Sequence, residues 1–348
     1  MLKLENKILA FILATLASIY ATVIVAQSKA TVAFQIPLDH HLAQNILFFK
    51  EELEAISNAA FSIQIYDYGS YLKDHKDSEK IAVEQRHFMA KEILDAVQSK
   101  KVDIGLISLN RVSKLIPLAD IFNQPFLIDN ERKVSEMVSK NSLVRTSIED
   151  SLKKIGLKTL WWQPYGTVIF VSKGSVVKTP EQMEDKKVRV FGKTLGNLVL
   201  ASGGTPLAIP NSLQYFAYKH QKVDIGMTTI SDVREKKIWE VMDTISLTNN
   251  ASIQFLLVAN NRWWNSLSAN TQRLISQAAL AAEEKSVETL KSIEVKSFNE
   301  AIRNGMRIII LSNDDRDYWR EKAVPIYENF LENTGLDGQR AFETVNAN

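Results

Sequence analysis

The sequence has no cysteine among its 348 residues, which excludes disulfides, thiolate metal sites, thiol nucleophiles and lipid attachment through a cysteine. It also lacks an excess of charge, because 42 lysines and arginines face 40 aspartates and glutamates. Without a basic field we expect no nucleic-acid partner. Histidine is scarce, with five in the chain and no HxxxH or HExxH pair among them. We therefore expect no zinc enzyme, and we assign no residue of the chain to a metal.

The sequence motifs of common nucleotide and hydrolase sites are missing as well. There is no G-x-S-x-G, no P-loop and no G-x-G-x-x-G after a strand, and a turn explains Gly203 and Gly204. No nucleophile is paired with a base. These absences predict a protein that is not an enzyme and that carries no cofactor. With 45% hydrophobic residues, the chain has the composition of one large or two ordinary globular domains.

The N-terminus carries an apolar run of 19 residues, Ile8 to Ala26, which Lys3 and Lys7 precede. A basic start, an apolar stretch and small residues are typical of a secretory signal peptide. The run is also long enough to span a bilayer, so an uncleaved anchor is the alternative. Both interpretations export the rest of the chain. We expect residues 1–26 to be a cleaved signal peptide.

The pentapeptide Lys-Val-Asp-Ile-Gly occurs twice, at residues 101–105 and 222–226. Each copy follows apolar residues at helical spacing and runs into a short apolar stretch that is typical of a buried strand. Upstream of each copy, a strand, a helix and a second strand are predicted in the same order. The sequence thus predicts two β-α-β-α-β halves, which form two doubly wound α/β lobes with a ligand cleft between them.

Predicted element bounds follow from the same patterns. The predicted strands are 31–37, 61–66, 104–108, 156–162, 167–172, 187–191, 206–210, 225–229, 252–259 and 306–311. The main predicted helices are 42–57, 195–201, 270–304 and 314–333, with Pro325 interrupting or restarting the last and Gly335 ending it.

The lobes follow from these elements. We expect residues 28–158, with part of about 255–290, to form the first lobe and residues 159–254 to form the second. Part of 291–348 should pack across both.

Arg189 is the strongest candidate for a ligand contact. It lies within the apolar strand segment 188–191, just before a turn and a helix start. A guanidinium there is costly to bury without an anionic partner, and its planar fork suits a carboxylate. The alternative is an outward-facing arginine that pairs with Glu181 or Asp185.

Small polar residues at strand ends, and aromatic residues near them, complete the candidate site. Hydroxyl groups there suit hydrogen bonds to a ligand, but they suit capping of the next element equally. Aromatic rings suit a cleft wall or the core, and Trp161 and Trp162 cannot both face one side of a strand. The further candidates are Ser108, Thr228, Gln163, Tyr165, Phe191, Tyr215, Trp162 and His40.

Six ordered segments, which span nearly all of the mature chain, carry a family resemblance. They are Gln98…Asp103 with Ser108, Asp120-Ile-Phe-Asn-Gln-Pro-Phe-Leu127, Thr179-Pro-Glu-Gln-Met with Lys187-Val-Arg-Val, Gly203-Gly-Thr-Pro-Leu-Ala-Ile-Pro-Asn-Ser-Leu-Gln-Tyr-Phe-Ala, Val223-Asp224 and Asn260-Asn-Arg-Trp-Trp-Asn-Ser-Leu267. In these segments the chain resembles the solute-binding proteins of tripartite ATP-independent periplasmic (TRAP) transporters. The resemblance implies a type II-like binding-protein fold with a cleft between two lobes and C-terminal helices across the back. It places Arg189 at the family's ligand-carboxylate arginine.

The chain departs from the family pattern at several recognition positions. Thr228 stands where the family commonly has a ligand-binding asparagine, and Thr167 aligns with a frequent second arginine. Phe191 replaces a proline, and the region 73–91 replaces a short turn whose glutamate can line the pocket. The arginine that would bind the carboxylate is thus kept, while the residues that would make further contacts with the ligand differ from the family pattern. A monocarboxylate such as a 2-oxo or hydroxy acid, or a larger organic anion, fits as well as a C4-dicarboxylate or sialic acid.

The resemblance implies a periplasmic protein that closes two lobes around an organic acid and delivers it to the membrane subunits of a TRAP permease. Arg189 would pair with the carboxylate, while Thr228 with Gln163 or Tyr165 would donate secondary hydrogen bonds. Apolar walls would come from Phe191, Trp162 and Tyr215. We expect a monomer without cofactor. The alternatives are a membrane-tethered sensor module of the same fold and a periplasmic enzyme that uses the same cleft.

Overall fold

A computed structural model describes residues 28–36, 38–66 and 89–346 of the chain. The described strands are β1 Ser28–Ala33, β2 Phe61–Tyr66, β3 Ile104–Ser108, β4 Leu157–Thr167, β5 Ile169–Ser172, β6 Lys187–Arg189, β7 Thr205–Leu207, β8 Ile225–Thr228, β9 Thr244–Leu247, β10 Ser252–Asn260 and β11 Arg307–Ile310. They form two sheets. The first has the order β2-β1-β3-β10-β4, and the second has the order β11-β9-β5-β8-β6-β7.

Helices cover both sheets. They are α1 His41–Ile56, α2 Met89–Gln98, α3 Leu109–Val112, α4 Glu131–Val138, α5 Leu143–Lys154, α6 Lys193–Ala201, α7 Gln214–Lys219, α8 Ile230–Glu235, α9 Asn261–Ser266, α10 Ala269–Arg303 and α11 Asn313–Asn346, with 3-10 turns at Pro117–Asn123, Pro180–Met183, Asn211–Leu213 and Ile238–Glu240. None of the described helices combines the length and the apolar character that crossing a membrane requires. The predicted signal peptide, residues 1–26, and most of the segment 73–91 lie outside the described residues.

The two sheets share one topology, as the internal repeat predicts. In the first sheet β1 pairs in parallel with β2 and β3, and in the second β6 pairs in parallel with β7 and β8. Next to the third parallel strand, each sheet adds an antiparallel strand, β10 in the first and β5 in the second. The duplicated pentapeptide therefore marks the entry to equivalent strands, β3 and β8.

The chain passes between the sheets at two adjacent connections. Val168 joins β4 to β5, and residues 248–251 join β9 to β10. The connections are tied together because the Val168 N–H donates to Ala251 O at 2.9 Å and the Asn250 N–H donates to Val168 O at 3.1 Å. Since β4 pairs with β10 along its length, the first passage follows Thr167 and lies later than the predicted lobe boundary at residue 158. The division of the chain into two lobes at these residues stays a prediction.

The last two long helices bridge the sheets. Helix α10 packs on α1 and β4 of the first sheet and on α8 of the second, while α11 packs on the turn Pro117–Asn123 and on α6. Helix α11 breaks at Gly335, where φ is 58° and ψ is −139°, and this is the residue that the sequence predicts as the end of the helix. The positive φ favours glycine, so the chain bends there. The predicted interruption at Pro325 is wrong, because Pro325 lies within the helix.

Three clusters of buried side chains form the core. One lies on one face of the first sheet and continues onto the second, with Phe49, Trp161 and Trp319 among its largest members. Another packs α5 and the turn Pro117–Asn123 on the opposite face of the first sheet around Trp162. The third lies under α7 and α8. Trp161 and Trp162 thus face opposite sides, as strand alternation requires.

Candidate functional site

A cleft opens between the two sheets where their parallel strands end. Its volume is about 1460 Å³ as bounded by the described residues. The segments that follow β1, β3, β6 and β7 all line it, as do parts of α8, α10 and α11. Ligands of α/β sheets bind beyond the carboxyl ends of the strands, so this cleft is the candidate functional site.

Arg189, at the end of β6, carries a buried charge on the wall of this cleft, with only 2% of its surface exposed. Its Nε donates to Ile209 O at 3.1 Å, and its Nη1 donates to Met227 O and, at 3.4 Å, to Gln214 Oε1. The ring of Phe191 covers one face of the guanidinium, with its centroid 4.4 Å from Cζ. These acceptors are uncharged. They fix the guanidinium without neutralising it.

Asn211 connects Arg189 to two further polar groups of the cleft. Its Oδ1 accepts from Arg189 Nη2 at 3.4 Å. Its Nδ2 donates to the Tyr165 hydroxyl at 3.1 Å and to Asp232 Oδ1 at 3.3 Å. Burial raises the pKa of Tyr165 well above its usual value, and the nearby Asp232 and Glu235 add to this, so the hydroxyl stays protonated.

Asp232 is fully buried in α8 and remains ionised. Burial opposes its ionisation, but Lys236, His40 and Arg189 together outweigh that effect and hold the pKa of Asp232 below its usual value. Lys236 Nζ forms a close ion pair with Asp232 Oδ1, and the Asp232 N–H donates to Thr229 Oγ1 at 3.3 Å. A fixed negative charge therefore lies behind Asn211.

His40 and His41, at the start of α1, contact Glu235 of α8 and so join the two sides of the cleft. His40 Nε2 lies 3.2 Å from Glu235 Oε2, and His41 Nδ1 lies 3.3 Å from Oε1. The Leu42 N–H donates to His40 Nδ1 at 3.2 Å, so the proton of a neutral His40 is on Nε2. Burial, with His41 beside it, lowers the pKa of His40 to about 4, which keeps it neutral at pH 7.

A ring nitrogen of His40, a ring nitrogen of His41 and a carboxylate oxygen of Glu235 lie within 4.8 Å of one another, close enough to surround a metal ion. A metal-bound histidine normally donates its second ring N–H to an acceptor. Here the second nitrogen of His40 faces the N–H of Leu42, and His41 Nε2 is buried without a hydrogen-bond partner among the described residues. The arrangement fits two N–H donors that hold the Glu235 carboxylate better than it fits a metal.

A second contact joins the sheets on the side of α11. Thr194, in the first turn of α6, donates to Asp120 Oδ2 at 2.6 Å. Asn123 also donates to this carboxylate, at 2.9 Å. Burial raises the pKa of Asp120, although both hydrogen bonds oppose the shift. The cleft is therefore bridged by polar contacts on two sides.

The lining of the cleft is more positive than the nearly neutral chain. Seven cationic side chains line it against four anionic ones: Arg111, Lys114, Arg189, Lys193, Arg234, Lys236 and Lys237 against Asp39, Asp120, Glu235 and Glu300. Lys236 is paired with Asp232 and Arg234 with Glu300, so the other five cationic side chains carry the excess. Such an excess in a concave surface attracts the opposite charge. This cleft is suited to an anionic ligand.

Five of the residues that the sequence proposes for the site lie on the cleft: Arg189, Phe191, Tyr165, Ser108 and His40. Tyr165 stacks on His40, with the ring centroids 5.6 Å apart, and Ser108 precedes α3 without capping it through its side chain. The alternative partners of Arg189, Glu181 and Asp185, form no bond with its guanidinium, which faces the cleft side of β6 instead.

The other four do not line the cleft as the described residues bound it. Trp162 faces the opposite side of the first sheet, where its Nε1 donates to Glu149 at 2.8 Å. Gln163 is buried behind the cleft and accepts from Trp161 Nε1 at 3.0 Å. Thr228 is fully buried, and Tyr215 points outward to Glu240, 2.7 Å away. The ligand roles of these four residues stay predictions.

Asn211 is a polar residue of the cleft that is not among the candidates from the sequence. It follows Pro210 at the end of the segment after β7, the strand that pairs with β6. A polar residue just past a strand that neighbours Arg189 was the available signal. Glu235 and Asp232 gave no comparable signal, because their proximity to His40 and Arg189 depends on how α8 packs against the first sheet.

The comparisons with known proteins agree with this architecture. The ectoine/5-hydroxyectoine-binding periplasmic protein UehA of Ruegeria pomeroyi is 26% identical over 307 residues, which cover 86% of this chain and 84% of UehA. The crystal structure of DctP6, a Bordetella pertussis extracytoplasmic solute receptor that binds pyroglutamic acid, matches with a TM-score of 0.80 at 18% identity and covers 92% of this chain and all (100%) of that one.

A TRAP periplasmic solute-binding protein of Ralstonia eutropha H16, with bound (S)-2-acetolactate, also matches with a TM-score of 0.80, at 17% identity and over 92% of this chain and 99% of that one. These matches confirm the predicted two-lobed α/β binding-protein fold. The family model DctP, described as bacterial extracellular solute-binding protein, family 7, matches residues 33–334. The chain therefore belongs to family 7 of the bacterial extracellular solute-binding proteins, the solute-binding proteins of TRAP transporters.

Proposed function

We propose that this protein binds an organic acid in the cleft and that the ligand carboxylate pairs with Arg189. The observation that carries the proposal is the buried guanidinium, whose four hydrogen-bonded acceptors among the described residues are all uncharged. Asp232 offsets its charge only from a distance. A buried cation of this kind is costly unless an anion joins it, and a carboxylate oxygen can accept from the guanidinium N–H that has no protein acceptor.

The surrounding groups suit such a ligand. Phe191 supports the guanidinium from one face, and the excess of cationic side chains on the lining attracts anions into the cleft. Tyr165, His40 and Ser108 are proposed to contact the ligand, together with Asn211. Gln163 and Thr228 are buried, and Trp162 and Tyr215 face away from the cleft, so the proposal assigns no ligand contact to these four residues. The relatives named for ectoine, pyroglutamic acid and acetolactate bind molecules that each carry a carboxyl group.

The ligand-bound protein would then deliver the acid to the membrane subunits of a TRAP permease. In this proposal the mature chain is a periplasmic monomer that follows a cleaved signal peptide of residues 1–26. It binds its ligand without a cofactor, a nucleic acid or a catalytic step. Because Arg189 is 2% exposed, the ligand would enter when the two sheets move apart and would be sealed from water when they close.

The test compares ligand binding by two arginine variants. The mature chain is unfolded and refolded to remove bound ligand, and organic acids are screened by thermal shift and measured by calorimetry. We expect Arg189→Ala to weaken acid binding by about tenfold or more, because the charge-assisted hydrogen bond between the guanidinium and the carboxylate is lost. Arg111→Ala is the control, since Arg111 also lines the cleft but is exposed. It should change the affinity by less than about threefold.

Two outcomes would contradict the proposal. One is an Arg189→Ala variant that folds and binds the same acid with wild-type affinity. The other is an equal loss in both variants, which would mean that the cleft attracts anions only through its general charge.

A further inference from the structure

Arg189 has one side left for a ligand, and that side also faces Asn211. A guanidinium has five N–H groups. The Nε hydrogen bonds to Ile209 O, and the two Nη1 hydrogens face Met227 O and Gln214 Oε1. One Nη2 hydrogen points to Asn211 Oδ1 at 3.4 Å. The remaining N–H is therefore on Nη2, so a carboxylate that enters from the cleft binds next to the Asn211 amide.

The Asn211 amide is oriented from both ends. Its NH2 group donates to the buried carboxylate of Asp232 at 3.3 Å and to the Tyr165 hydroxyl at 3.1 Å, and its oxygen faces Arg189. A flipped amide would bring its oxygen against the Asp232 carboxylate and its NH2 group against the guanidinium. Both contacts would be repulsive. Asn211 thus presents a fixed hydrogen-bond acceptor beside the place of the ligand carboxylate.

This acceptor distinguishes acids by the group on the carbon next to the carboxylate. A hydroxyl or an N–H at that carbon can donate to Asn211 Oδ1. A carbonyl oxygen at the same place brings two acceptors together, and a site built for a donor rejects an analogue that lacks it. We propose that Asn211 is a specificity-determining residue that selects acids with a hydroxyl or N–H group next to the carboxylate over 2-oxo acids of the same skeleton. The inference rests on the proposed function.

The test uses pairs of acids that differ only at this carbon. The probes are lactate and pyruvate, 2-hydroxyglutarate and 2-oxoglutarate, and 3-phenyllactate and phenylpyruvate, with both enantiomers of each hydroxy acid. Calorimetry on the refolded mature chain gives the affinity ratio for the pair that binds most tightly. We expect the better hydroxy enantiomer to bind at least about tenfold more tightly than the oxo acid.

Two variants test the role of the Asn211 side-chain amide. Asn211→Leu keeps most of the side-chain volume and removes the acceptor, so the ratio should fall to within about threefold of one. Asn197→Leu is the matched control, because Asn197 is another half-buried asparagine of the cleft lining, on α6. It should keep the wild-type ratio. If Asn211→Leu does not fold, Asn211→Ser, which is too short to reach the ligand, gives the same comparison.

The outcomes separate this inference from the proposed function. If the protein binds hydroxy and oxo acids through Arg189 with equal affinity, or prefers the oxo acid, the role of Asn211 alone is overturned. An Asn211→Leu variant that keeps the wild-type ratio would do so too. Acid binding that is indifferent to Arg189→Ala, or no binding by any probe, would overturn the carboxylate site and this inference with it.

Discussion

Asp103 and Asp224 make the same backbone hydrogen bond in the two sheets. Asp103 Oδ2 accepts from the N–H of Thr31, in β1, at 2.9 Å, and Asp224 Oδ2 accepts from the N–H of Lys187, in β6, at 2.8 Å. Each aspartate belongs to one copy of the duplicated pentapeptide and joins the first parallel strand of its sheet to the third. The repeat therefore specifies a joint between strands, used once in each half.

The two joints should differ in strength. Asp103 also accepts from Thr31 Oγ1 at 2.8 Å and is partly buried, whereas Asp224 is exposed. We expect Asp103→Ala to lower the free energy of unfolding by about 1–3 kcal/mol and Asp224→Ala by about 1 kcal/mol or less. Urea denaturation measures both. Asp95→Ala, at an exposed position of α2, should change nothing measurable, and equal losses at 103 and 224 would contradict the prediction.

The glycine that ends each repeat copy should also resist substitution. A Cβ on Gly226 would lie 2.0 Å from the hydroxyl oxygen of Tyr218, and one on Gly105 would lie 2.7 Å from Val97 Cγ2. We expect Gly226→Ala and Gly105→Ala to destabilise the protein by about 1–3 kcal/mol through overpacking. Gly192→Ala, where the added carbon meets no atom within 4 Å, is the control in the same urea titration. Wild-type stability in Gly226→Ala would show that the prediction is wrong.

Much of the fold follows from local patterns in the sequence. Apolar runs and their spacing locate strands such as β2 and β3 at their observed bounds, and the pentapeptide repeat predicts two equivalent halves. These signals suffice because periodicity and turn chemistry act within a few residues. The predicted break at Gly335 is confirmed, since its positive φ favours glycine. Pro325 shows the limit of local patterns, because a proline can remain in a helix that tertiary contacts hold.

The candidate site is only partly accessible from sequence. Arg189 is identifiable because a cation in an apolar strand needs a partner. Trp162 is misplaced because alternation defines two faces without telling which one borders the cleft. His40 and Glu235 lie nearly two hundred residues apart in the chain, so their contact depends on the packing of α8 against α10 and β4.

The position of Trp162 gives a test that separates the core from the cleft. Trp162→Phe should lower the free energy of unfolding by about 1–2 kcal/mol, because the hydrogen bond to Glu149 and the contact with Arg145 are lost. It should leave acid affinity unchanged. Phe191→Ala should weaken acid binding several-fold with a small effect on stability, since Phe191 stacks on Arg189 at the cleft. Calorimetry measures the affinity and urea denaturation the stability. A loss of acid affinity in Trp162→Phe as large as that in Phe191→Ala would refute the prediction.

His40 should make the stability depend on pH. Burial lowers its folded-state pKa to about 4 from 6.5, so the unfolded chain binds the proton first as the pH falls. Neutral His40 therefore contributes up to about 3 kcal/mol to the free energy of unfolding. This contribution is complete above about pH 6.5 and is lost as the pH falls toward 4.

His40→Gln should therefore show a flatter stability curve between pH 7 and pH 4.5 when unfolding is followed in urea. His220→Gln, at an exposed histidine, should keep the wild-type slope. Parallel curves for His40→Gln and the wild type would contradict the assignment.

The strand order of the first sheet has a consequence for how the chain folds. Strand β10 lies between β3 and β4, so Leu256 pairs with Ile107 across a long stretch of intervening sequence. During synthesis from the N-terminus, the apolar edge of β3 that later pairs with β10 has no partner until residues 252–260 emerge. Such long-range pairing slows folding, and an open apolar edge invites association with other chains. The first sheet is therefore protected from aggregation only after β10 has been synthesised and has paired with β3.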